Sequence, residues 1–166
     1  MGDKDRAEKI LKIKEFAHLR ILADKESYDG KAKRCDTVAQ LLDKAHWEIT
    51  DNEKVFVWAE VEITKHDSIS PHSSVGVTAE YLASANGVNI AVAYTKPDES
   101  GMRKFSIIGY NGASCYYREI MRKLHAAESN RDKSKGWFSS WPGSSIDNEA
   151  SKLEPEAVLQ IIREVL

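Results

Sequence analysis

The sequence predicts an α/β (α+β) fold: a mixed sheet built from a strand–helix–strand unit and a hairpin, with helices packed on it and two more helices before it. Three observations predict it. Val55, Val57, Ala59, Val61 and Ile63 alternate with Phe56, Trp58, Glu60 and Glu62, the period of two that a half-buried strand requires. Tyr117, Ile120, Met121 and Leu124, and later Val158, Ile161, Ile162 and Val165, recur at the spacing of one helix face. Between these stretches, Lys96-Pro97-Asp98-Glu99-Ser100-Gly101 is turn chemistry joining two short apolar runs.

The elements follow in order. Ile10, Ile13, Ala17 and Ile21 predict a helix over 4–27, and Asp29-Gly30 breaks it. Val38, Leu41, Leu42 and Ala45 predict a second helix over 32–47, ended by Thr50-Asp51-Asn52. A strand begins at Val55, and its later half has one wet face. His66 to Ser74 is a polar loop. Ser74 can cap a helix over 75–85, which Asn86-Gly87 closes with a left-handed residue. Val88–Tyr94 reads as a buried strand and Arg103–Gly109 as its hairpin partner. Asn111-Gly112 turns the chain into a helix over 114–127. Residues 128–135 are polar. Pro155 suits the first turn of the last helix, where its missing N–H leaves nothing unpaired. The resulting division is 1–52 as a helical docking or linking element and 53–166 as the α/β domain.

The 166 residues suit one domain or one domain with an appendage, and 42% hydrophobic content can build a core. A net charge of −2 excludes a global positive field, so any nucleic-acid contact must use a local patch. Cys35 and Cys115 lie far apart and read as two reduced thiols. The charged start is unlike a signal segment, and no apolar run approaches the roughly 20 residues a membrane span needs. The expected setting is cytoplasmic and off the membrane.

The stretch from Val57 to Leu166 resembles the C-terminal domain associated with DHH-type phosphoesterases, the superfamily of RecJ-like exonucleases and oligoribonucleases. Glu60-Val61-Glu62-Ile63 is similar to that domain's first strand, Asn86 to Tyr94 to its apolar strand, and Arg103 to Ile108 to its serine-bearing strand. Gly136-Trp137-Phe138-Ser139-Ser140-Trp141-Pro142-Gly143-Ser144-Ser145 stands where the family has its glycine-rich substrate loop, and Leu153 to Leu166 matches the closing helix. The loop lacks the family's histidine, Ile107-Ile108 stands where an arginine is usual, and no Asp-His-His string or catalytic domain precedes it. The resemblance therefore implies a substrate-binding half that does not cleave alone.

Candidate residues follow. Arg103, Lys104, Arg118 and Arg122 lie in a basic stretch that continues through Lys123, Arg131, Lys133 and Lys135. With Trp137 and Trp141 they combine cations for phosphates with rings for stacking bases, the ingredients of single-strand binding. Ser144 and Ser145 can donate to phosphate. The first expectation is a domain that binds single-stranded nucleic acid or a nucleotide, with no catalytic residue, cofactor or metal assigned. The second is an interaction subunit, docking a protein partner or forming a homo-oligomer through residues 1–50. The third is a small metal-dependent phosphoesterase using His66, Asp67 and His72, whose donors suit a metal but crowd one short loop. Cys115 at a helix start could be an activated thiol, and Gly109 to Ala113 could approach an anion but lacks a phosphate-loop lysine.

Overall fold

The computed structural model describes residues 2–27, 43–61, 79, 82, 87–109, 114–128 and 151–166. In chain order they form α1 (Asp3–Ser27), β1 (His46–Ile49), β2 (Val55–Val61), β3 (Ile90–Thr95), β4 (Phe105–Gly109), α2 (Ser114–Ala127) and α3 (Pro155–Val165). The strands form one mixed sheet in the order β1-β2-β3-β4. β1 pairs antiparallel with β2, β2 parallel with β3, and β3 antiparallel with β4. The parallel β2–β3 pair and the β3–β4 hairpin, with helices against them, make the α/β fold that the sequence predicts.

Strand alternation sorts the core onto the two faces of the sheet. Phe56, Ile90, Val92, Phe105 and Ile107 face α2 and α3, which supply Ile120, Met121, Leu124, Val158, Leu159 and Ile162. Val55, Val57, Ala59 and Ala91 face the other way and meet Ile13 and Ala17 of α1, together with Leu82. Ala79 and Leu82, within the helix predicted over 75–85, are helical and fully buried. Gly87 has φ +96°, the left-handed residue expected at the end of that helix, and it lies against the Ile13 side chain.

The β2 start is fixed by Asn89. Its side-chain oxygen accepts from Val55 N–H, and its own N–H donates to the Val55 carbonyl, each at 2.9 Å. The β3–β4 turn is held by Asp98, whose carboxylate accepts from Ser100 N–H, Ser100 Oγ and Met102 N–H. These bonds, the Ser100 hydroxyl first, hold the Asp98 carboxyl below its usual range.

One element corrects the sequence reading. The helix predicted over 32–47 does not extend that far, because His46–Ile49 is β1, hairpinned to β2 in the register His46↔Trp58 through Ile49↔Val55. Thr50 to Lys54 is the hairpin turn, with Thr50 N–H donating to the Lys54 carbonyl and Glu53 in the left-handed region at φ 60°. Aromatic and β-branched residues favour the pleated edge, and pairing with β2 outweighs the helical spacing that Ala45 continues. Residues 28–42 lie outside the described residues. The 52/53 boundary falls inside this hairpin. Arg6 further ties α1 to it, reaching the Ile49 carbonyl at 3.5 Å and Asp51 at 3.6 Å.

Candidate functional site

Two surfaces carry chemistry. The first lies at the carboxyl ends of the parallel strands β2 and β3, where open α/β sheets bind ligands. Glu60 and Tyr94 are register partners there, and Tyr94 packs on Phe105 with ring centroids 5.8 Å apart. Burial, then the Glu60 carboxylate, raise the Tyr94 hydroxyl above its usual value, with Arg103 opposing. Farther along the same face His46 stacks on Trp58 at 5.4 Å. Arg163 of α3 lies 5.2 Å from the Trp58 ring centroid. Its guanidinium bonds Glu48 at 3.0 Å and Glu156 at 2.7 Å. Burial works against that charge, but the two carboxylates outweigh it and hold Arg163 above its usual value.

The same end anchors the chain on either side of residues 129–150. Ser151 pairs with Arg103 through both backbone bonds, N–H to carbonyl at 2.8 and 2.9 Å. The buried Ser151 hydroxyl donates to the Glu128 carboxylate just after α2 and accepts from Leu153 N–H at 2.9 Å. Glu128 and Ser151, which stand on either side of residues 129–150 in the sequence, thus meet beside Arg103.

The predicted cations are spread out. Arg103 is mostly buried, bonds Glu154 at 3.0 Å and reaches the Thr95 carbonyl at 3.4 Å. Lys104 follows it, its N–H donating to Thr95 Oγ1 at 3.1 Å. Arg122 is held by both Glu119 oxygens, at 2.8 and 2.5 Å, and Lys123 reaches Glu164 at 3.3 Å. Arg118 is exposed on α2 and has no ion pair among the described residues. It stands ten residues before Glu128, roughly 15 Å along the helix from the Arg103 end. The structure therefore joins Arg103 with Lys104, and Arg118 with Arg122, but does not merge the two pairs. Trp137, Trp141, Ser144 and Ser145, like His66, Asp67 and His72, lie outside the described residues. Cys115 sits in the first turn of α2.

The second surface is the outer side of α1. Leu11, Phe16, Leu19 and Leu22 are 56%, 48%, 65% and 55% exposed. At 3.6 residues per turn they share an arc of roughly 140°, opposite the Ile13 and Ala17 side that meets the sheet. Glu8 and Lys12 pair within the same arc at 2.9 Å. The sequence reading took only the inner stripe. The signal for the outer one was the apolar residues at 11, 16, 19 and 22. α1 is fixed by more than apolar contact: Lys14 lies 5.6 Å from the Trp47 ring centroid, and His18 pairs with Asp43 at 2.9 Å.

Among the described residues, no three His, Cys, Asp or Glu side chains gather as metal ligands would, and no helix is long and apolar enough to cross a membrane. Comparison with family models, curated proteins and solved structures found no match.

Proposed function

We propose that this chain is an interaction subunit that docks through the outer face of α1. One observation carries the reading: four large apolar side chains stand exposed on one face of a helix whose opposite face is already packed. Exposed leucines standing singly are ordinary, but Phe16, Leu19 and Leu22 follow one another at i, i+3 spacing as neighbours, and such runs are what partners cover; the Glu8–Lys12 pair lies between them and Leu11. A photo-crosslinking residue at position 19 of the full chain, expressed in cells, tests it. A discrete adduct at position 19, missing when the same residue replaces Arg118, is expected. Equal, diffuse labelling at both positions would sink it. A crosslinker at position 11 extends the test. Its adduct should disappear with Leu19→Glu while circular dichroism stays unchanged, because Leu19 is exposed. Deleting residues 1–50 is the wrong test, because α1 and β1 belong to the sheet's own packing.

A second reading is favoured by the Ser151 anchor: a domain binding single-stranded nucleic acid or a nucleotide. Glu128 and Ser151, the described residues on either side of the segment bearing two tryptophans, meet beside Arg103, which itself reaches the carbonyl of Thr95 at the carboxyl end of β3. On this reading Trp137 and Trp141 stack on bases, Arg118 and Arg122 contact phosphate, and Ser144 and Ser145 donate hydrogen bonds. Arg103 and Lys104 flank the anchor. The ion pairs of Arg103 and Arg122 imply few released counterions and a shallow salt dependence. Fluorescence titration with short oligonucleotides tests it, with Trp137→Ala expected to weaken binding. Affinity unchanged by that substitution rules it out. The likeness to DHH-associated domains belongs to this reading.

A further inference from the structure

We draw no further inference here: the strongest candidate, the exposed apolar face of α1 at Leu11, Phe16, Leu19 and Leu22 taken as an interface between two copies of this chain, belongs to the docking surface already described, and nothing in the structure shows what covers it.

Discussion

The two faces of the sheet are covered in opposite ways. On one, α2 and α3 bury continuous apolar stripes, and Arg122, Lys123 and Arg163 close the margin with carboxylates. On the other, α1 packs Ile13, Ala17 and part of Ile10 and leaves Leu11, Phe16, Leu19 and Leu22 outward. A helix that served only the fold would put its biggest apolar residues inside, as α3 does with Leu159 and Ile162. α1 carries large apolar residues on both sides, which distinguishes a cover with one apolar face from a cover with two.

The contrast can be broken most directly by truncating each side. Leu124→Ala, at a fully buried position, should cost about 2–5 kcal/mol, read from the denaturant midpoint. Ile13→Ala should fall at the low end, about 2 kcal/mol, because a helix with a free outer side can settle into the gap. Equal losses would mean that both faces are packed alike. Arg163→Met should cost about 1 kcal/mol, as the guanidinium leaves Glu48, Glu156 and the Trp58 ring. Phe16→Ser should stay within about 0.5 kcal/mol of wild type. A larger loss would show that the outer face supports the fold.

The last test uses pH. Burial raises the hydroxyl pKa of Tyr117 on α2, and burial with Glu60 raises that of Tyr94. A folded-state pKa above the unfolded value near 10 means the stability is fully present below that value. It is lost as pH rises through the folded-state pKa. Unfolding free energy should therefore decline above about pH 10, and Tyr117→Phe should flatten the decline. A curve identical to wild type would remove burial of that hydroxyl as its cause.

Most of the fold was legible because its signals were long. The 55–61 alternation, the Asp98 turn and the stripes of α2 and α3 each draw on several residues, and the helix over 114–127 matches α2 throughout. β1 was not legible: four residues cannot establish a period against a helical pattern running into them. The surfaces were harder still. His46, Trp58 and Arg163 meet only through sheet pairing and helix packing, so no spacing along the chain announces them. The basic stretch read as a patch because cations are adjacent in sequence. Their carboxylates at Glu154 and Glu164 come from another part of the chain, and only Glu119, three residues before Arg122, could have been paired by eye.

The Ser151 anchor has a consequence for the path of the chain. The Arg103 bridge and the Glu128 carboxylate bring Glu128 and Ser151 together, so one contact closes a circuit of the chain beside β4. For a flexible connection, each doubling of length adds only about 0.6 kcal/mol to the entropic cost of such a closure. Whatever connects Glu128 to Ser151 must therefore begin and end at one point beside Arg103, a constraint on its path and not on its length.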